Sequence, residues 1–324
     1  MKCLIVQPIH EQGLALLRQA GIDCVTPASA TMAEVARAIP ACEAVITRNA
    51  GLDGAAIAAA ARLRIIGSHG AGTNMVDVAA ATAAGIPVVN TPGANARSVA
   101  ELVIAMALAL VKRTLALDAA VRTGHWDARY APGLRELAGA TLGIVGFGQI
   151  GRALAGIAAH GFGVRVLVYS PSVPPAEIEA AGCALAPDLA ALLAAADIVS
   201  LHRPGQAGAP PMIDAAALAR MKPGALLINT ARGGLVDERA LADSLAAGRL
   251  GGAGIDVFST EPPPADHPLI GAPNVVLAPH AGGSTDEALA RTAVAVAQQM
   301  VDALQGRRPR HVVNPEVWER RRSA

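Results

Sequence analysis

Aromatic residues are nearly absent from this 324-residue chain: two Trp, two Tyr and three Phe amount to 2%. A core must instead come from Ala, Val, Leu and Ile, within a hydrophobic content of 52%. Such aliphatic richness suits parallel strands covered on both faces by helices. Charge of one sign is lacking as well. Lys+Arg number 27 against Asp+Glu 26, so no field exists to attract nucleic acid or an anionic membrane. The locally basic stretch Arg307–Arg322 reads as a solvated end. Cysteine is scarce: Cys3, Cys24, Cys42 and Cys183 are scattered at no metal-ligand or redox spacing, which fits a reducing cytosol. The longest apolar stretch, Val99–Val111, is interrupted by Glu101 and falls short of the about 20 residues that span a bilayer. The apolar run after Met1 is too short for a signal peptide and reads as a first strand. These absences predict a soluble, cytoplasmic protein with no metal site.

What is present is alternation. Leu4–Val6, Ala44–Ile46, Arg64–Ile66 and Pro87–Val89 read as strands, with helices at Glu11–Ala20, Met32–Ile39, Ala55–Ala61 and Met75–Ala84. A long helical pattern runs from Ser98 to about Arg122, and Trp126 just beyond it suggests interface or core packing. A second series then begins at Thr141–Val145 and continues through Val164–Tyr169, Ile198–Leu201, Ala225–Asn229, Gly252–Asp256 and Val275–Ala278. Strand–helix alternation of this kind predicts an α/β fold with parallel sheets.

Gly146-Phe147-Gly148-Gln149-Ile150-Gly151 follows an apolar strand and opens a helix. Glycines so placed permit a tight turn and close backbone approach to a pyrophosphate, and the helix N-terminus favours phosphate. An entire α/β unit precedes this motif, so the dinucleotide domain lies in mid-chain. The acidic residue normally found about 20 positions on is missing. The next strand ends in Tyr169-Ser170-Pro171-Ser172, and the nearest carboxylate is Glu177. With Ser170 there, and Arg203 following another strand, the cofactor is NAD or NADP, with NADP tolerated.

Three further segments close strands of the second series. Arg232 follows Asn229-Thr230-Ala231 and precedes two glycines; its planar guanidinium suits a carboxylate, or else pairs with Asp237 or Glu238. Glu261 lies in a Pro-flanked loop after Asp256, and His280 ends Leu277-Ala278-Pro279. Oxidation of an alcohol releases a proton that imidazole can accept, and a carboxylate on the other ring nitrogen fixes its tautomer.

These segments resemble the D-isomer-specific 2-hydroxyacid dehydrogenase family from about Leu4 to Asn314. The match includes His69-Gly70-Ala71-Gly72-Thr73-Asn74-Met75-Val76-Asp77, Asn90-Thr91-Pro92-Gly93-Ala94-Asn95, Ser98-Val99-Ala100-Glu101 and Leu137-Ala138-Gly139. The resemblance implies His280 as general acid/base, Glu261 as its partner and Arg232 as carboxylate anchor. It places Asp256 at the nicotinamide carboxamide. On the cofactor side it adds His202, Arg203, Pro204, Thr230 and Ala231 to the glycine motif and Ser170. On the substrate side it brings Arg48, His69 and the amides of Gly70, Ala71 and Gly72. It further implies two Rossmann-like doubly wound domains with a cleft between them. A discontinuous substrate domain of residues 1–97 plus 287–324 would carry an inserted cofactor domain of 98–286, and the chains would form a homodimer through the latter.

Two departures narrow the substrate. Where animal-type phosphoglycerate dehydrogenases carry an arginine before the glycine loop, this chain has Ser68, although Arg48 fits another phosphate-binding arginine. The segment Gly205–Pro211 is unlike the family pattern, and the chain stops soon after its last helix, which implies no appended effector domain. The expected substrate is a small 2-keto or D-2-hydroxy acid such as glyoxylate, hydroxypyruvate or pyruvate. The alternatives are D-3-phosphoglycerate, a formate- or phosphite-type enzyme (the formate enzymes pair their histidine with Gln, not Glu) and a dinucleotide-sensing corepressor-like protein.

Overall fold

Runs of aliphatic residues without alternation form strands here because both faces of each sheet are covered. The computed structural model describes residues 1–131, 133–205 and 208–322, and the chain divides into two compact units. Unit 1 comprises residues 1–95 and 283–324, and unit 2 residues 96–282.

Unit 1 begins β1 (Lys2–Ile5), α1 (Glu11–Gln19), β2 (Asp23–Val25), α2 (Met32–Ala38), β3 (Ala44–Thr47) and α3 (Gly54–Ala59). It continues with β4 (Ile65–Ser68), α4 (Val78–Ala83) and β5 (Val88–Val89). The sheet is wholly parallel in the order β2-β1-β3-β4-β5. Every residue of β3 and β4 is buried. Strand order reverses between β1 and β3, which is where open α/β sheets present ligands. Arg48 stands there, just past β3, and its Nη1 donates to the carbonyl of Pro8 beyond β1 at 2.9 Å.

Unit 2 opens with α5 (Ala96–Val111) and α6 (Thr114–Arg122). The single long helix expected from Ser98 to Arg122 is therefore two. The apolar face ends at Val111, Arg113 takes a left-handed φ of 50°, and α6 buries none of its residues. Trp126, 63% exposed, is not core packing within this chain. Then follow β6 (Thr141–Val145), α7 (Gln149–Phe162), β7 (Arg165–Tyr169), α8 (Pro175–Ala180), β8 (Ala184–Leu185), α9 (Leu189–Ala195) and β9 (Ile198–Leu201). The unit is completed by α10 (Ala215–Arg220), β10 (Leu226–Asn229), α11 (Glu238–Ala246), β11 (Gly252–Ile255) and β12 (Val275–Leu277). All seven strands run parallel in the order β12-β11-β10-β9-β6-β7-β8, so the switch point lies between β6 and β9. This is the doubly wound α/β class that the alternation predicts. Of the departing segment Gly205–Pro211, Gln206 and Ala207 lie outside the described residues.

Helix starts are set by short polar side chains. Asp53, Asp77, Asp188, Asp214 and Asp237 each accept an N–H three residues on, at 2.7–2.9 Å, and such a cap contributes about 1 kcal/mol.

The chain then re-enters unit 1 as α12 (Asp286–Leu304), whose Ala293, Val296, Ala297 and Met300 share one core with Ile5, Leu17 and Ile46. No helix among the described residues is long and apolar enough to cross a membrane.

Candidate active site and dinucleotide crevice

In unit 2 the glycine turn follows β6 at the switch point. Gly146 has φ +98°, and a Cβ there would lie 2.5 Å from the carbonyl of His202, which follows β9. A Cβ on Gly151 would meet the Gly146 carbonyl at 2.3 Å, whereas Gly148 faces open space. The N-cap of α7, Gly148, offers no side-chain acceptor, so the first N–H groups of this 14-residue helix are uncapped by side chains. A narrow turn, room beside Gly148 and free donors at a helix N-terminus together fit a pyrophosphate.

Not every side chain expected to line this crevice does so. The Phe147 ring is 1% exposed and packed in the core, with the Arg152 guanidinium 4.8 Å from its centroid, so its share of the turn is backbone. Ser170 is turned toward the glycine turn, its Oγ accepting the Phe147 N–H at 3.1 Å. The His202 imidazole is directed to Ser200 Oγ (2.8 Å), with Nδ1 buried and unpartnered, and burial pulls its pKa to about 4. Its backbone, not its ring, walls the turn. Ala231 and Thr230 are each 8% exposed, while Arg203 and Pro204 are exposed. Glu177, the first carboxylate after β7, pairs with Arg152 at 2.7 Å.

Across the switch point stand the ends of β10, β11 and β12. The Arg232 guanidinium donates to its neighbour's carbonyl (2.6 Å) and pairs with no carboxylate among the described residues. The alternative pairings are excluded. Asp237 caps α11, and Glu238 accepts from Ser259 and His267. Burial presses the Arg232 pKa down while the Glu261 charge acts against it. Glu261 binds the His280 Nδ1 at 2.8 Å through Oε2 and accepts the Phe258 N–H at 3.1 Å through Oε1; its peptide to Pro262 is cis. The carboxylate thereby claims the Nδ1 proton of His280 and leaves Nε2 for exchange.

His280 itself has a left-handed φ of 54°, unusual for a non-glycine residue. Asp256 clamps it there. The Asp256 carbonyl accepts the His280 N–H (2.8 Å), and its carboxylate accepts those of Ala281 (2.7 Å) and Gly282 (2.9 Å). Burial raises the Asp256 pKa, against the lowering effect of those two N–H groups.

Residues 104–282 match the family model described as D-isomer specific 2-hydroxyacid dehydrogenase, NAD binding domain. Over 315 residues the chain is 36% identical to a D-3-phosphoglycerate dehydrogenase of Archaeoglobus fulgidus, covering 97% of this chain and 59% of that protein. It is 40% identical over 270 residues to a glyoxylate reductase of Korarchaeum cryptofilum, covering 82% and 80% respectively. Among solved structures, the TT0316 protein of Thermus thermophilus superposes with a TM-score of 0.87 at 33% identity, covering 97% of this chain and all of that one. The chain belongs to the D-isomer-specific 2-hydroxyacid dehydrogenase family. It spans about three-fifths of the length of the phosphoglycerate dehydrogenase it matches.

As a member of that family it carries its NAD-binding domain in unit 2, and unit 1 holds the remaining sequence-predicted residues. The loop after β4 has its carbonyls tied down: Gly70 to the Thr91 N–H (2.8 Å), Ala71 to Asn90 Nδ2 (2.6 Å) and Gly72 to Ser68 Oγ (2.7 Å). The amides of Ala71 and Gly72 donate to no atom among the described residues. Such adjacent free amides can receive an anion. Ser68, notable in the sequence for not being arginine, thus holds this loop. His69 keeps a buried, unpartnered Nε2, and burial together with the Arg48 charge brings its pKa to about 4. Burial also lowers the Arg48 pKa. Among the described residues no cluster could hold a metal ion.

Nothing in the sequence groups Glu238, Ser259 and His267. Their only local signal is an acid at the first position of a helix, ordinarily read as a response to the helix dipole.

Proposed function

We propose that this protein is an NAD(P)-dependent oxidoreductase that interconverts a small, unphosphorylated 2-keto acid and its D-2-hydroxy acid, glyoxylate and hydroxypyruvate being the first candidates. The observation that carries this reading is the Glu261–His280 pair at 2.8 Å, with Arg232 paired to no carboxylate among the described residues. Arg232 binds the substrate carboxylate through two parallel hydrogen bonds. His280 Nε2 delivers a proton to the carbonyl oxygen in reduction and removes it in oxidation, while Glu261 holds Nδ1 and so fixes the orientation of the ring. Gly146–Gly151 would hold the nicotinamide cofactor, which when bound would supply the hydride. Unit 1 offers Arg48, His69 and the amides of Gly70, Ala71 and Gly72 as anion-binding groups of its own, and in unit 2 Asp256 would meet the cofactor's carboxamide. A panel of 2-keto acids followed by nicotinamide absorbance tests this. Absence of turnover with every keto acid while NADH still binds would favour a dinucleotide sensor.

For the cofactor, no carboxylate ends β7, and Arg203 stands exposed with its stem against Gly146. NADPH is therefore used alongside NADH, aided by His202, Pro204, Thr230 and Ala231 as backbone walls. Arg203→Ala should cut kcat/KM about tenfold more for NADPH than for NADH; an equal loss would remove the phosphate role. A phosphorylated substrate is the second reading, favoured by Arg48 at the switch point of unit 1. Comparing hydroxypyruvate with its 3-phosphate separates the two. Four free cysteines support residence in the cytoplasm.

A further inference from the structure

We propose that Glu238 is a positioning residue that clasps the loop of Glu261 to the loop of Arg232, and so sets the geometry of the His280 proton relay. The inference rests on the reaction proposed above. Glu238 is the first residue of α11, five positions after Gly233, and its side chain is 11% exposed. A helix-start acid is ordinarily solvated. This one instead accepts three hydrogen bonds from two other segments: the Ser259 N–H at 2.8 Å, the Ser259 hydroxyl in a short contact, and His267 Nε2 at 3.1 Å.

Each donor bears on Glu261. Ser259 adjoins Phe258, whose N–H holds Glu261 Oε1, and Glu261 Oε2 holds His280. His267 accepts the Leu269 N–H at Nδ1 (3.4 Å), which leaves Nε2–H to donate to Glu238. Its ring meets the Phe258 ring edge-on at 89°, with centroids 5.4 Å apart. The loop is therefore gripped from both ends, at Ser259 and at the segment returning through His267. The Arg232 side is joined by contact. A Cβ on Gly233 would fall 1.9 Å from the Phe258 carbonyl carbon and 2.1 Å from Ser259 N, so the two backbones touch with nothing between them. Glu238 and Gly233 together fix the two loops that carry the anchor and the base partner.

A solely structural role would weaken the fold and leave the relay intact, so the test isolates the relay. Glu238→Gln keeps the shape but turns an NH2 group toward at least one of the three donors. Expected is a fall in kcat of about tenfold or more, with KM for the keto acid changed by no more than about twofold. In a Glu261→Gln background the same substitution should cost less than about twofold, because the relay is already cut. Equal losses in both backgrounds, or an unchanged kcat, would overturn the proposal. A second readout needs no turnover: the low-field proton resonance of the His280 Nδ1–H, assigned by its loss in His280→Gln, should shift or broaden in Glu238→Gln. An unshifted resonance overturns the clasp even where no keto acid is reduced, and a shifted one in an inactive wild type retains the clasp and rejects the reaction. Should Glu238→Gln not fold, Ser259→Ala, which removes one donor alone, gives the same three readouts.

Discussion

The Arg232 guanidinium, paired with no carboxylate among the described residues, and the His280 imidazole, held by Glu261, make separable contributions at the residue scale. Arg232→Lys keeps the charge but loses the fork, so kcat/KM for the keto acid should fall about a hundredfold or more, with KM raised. An unchanged KM in steady-state kinetics would remove Arg232 as the anchor. His280→Gln should lower kcat by about 10²–10⁴ while the NADH dissociation constant, read by fluorescence, stays put. Weakened NADH binding would instead point to a structural part for His280. These residues were legible in the sequence because strand ends announce themselves: an apolar run stops and a polar residue follows. Side-chain direction is not announced in that way. Phe147, Ser170 and His202 fall at the crevice by position, yet the Phe147 and His202 rings turn into the protein and the Ser170 hydroxyl turns to the Phe147 N–H.

Elements show a different limit. Strands buried on both faces, such as β9 and β10, stand out as mainly aliphatic runs, broken only by Ser200 in β9 and ended by Asn229 in β10. Strands β2 and β8 do not, being two or three residues long with no buried residue. The α5–α6 break escapes a reading of helical period because it depends on one residue, Arg113, adopting a left-handed φ where burial ceases. The turn between β6 and α7 is the element on which cofactor binding depends most. Gly146→Ala combines a disfavoured φ with a 2.5 Å approach to the His202 carbonyl. We expect NADH affinity to drop by about tenfold or more and the melting temperature to fall by several degrees. Retained affinity, measured by calorimetry, would mean that the turn adapts.

For the whole molecule, acid sensitivity follows from two buried imidazoles. His202 and His69 titrate at about 4 in the folded chain against a reference of 6.5. Between these values the unfolded chain binds protons that the folded chain does not, so stability rises with pH through the window and is lost as pH falls from 6.5 toward 4. For His202 the limit is about 3 kcal/mol. The urea midpoint should drop between about pH 7 and pH 4.5, and less steeply in His202→Asn. Parallel slopes would assign the acid loss to other groups. Leu115, Val121, Trp126 and Tyr130 are each more than half exposed, and the homodimer implied by the family resemblance would be expected to cover them. Light scattering should give twice the chain mass, and Trp126→Glu should shift it toward the monomer; an unshifted dimer would relocate the interface.

Within unit 2, Ser98 Oγ donates to the Gly282 carbonyl at 2.6 Å, so the first turn of α5 is fastened to that unit's last residue. During synthesis, residues 96–282 can close on themselves as soon as Gly282 emerges. The earlier-made β1 to β5 must wait for α12, because Ala293, Val296 and Met300 complete the core around Ile5 and Leu17. The strands translated first are the last to be sealed. A released chain truncated after Gly282 should therefore resist protease in its second half and yield to it in its first.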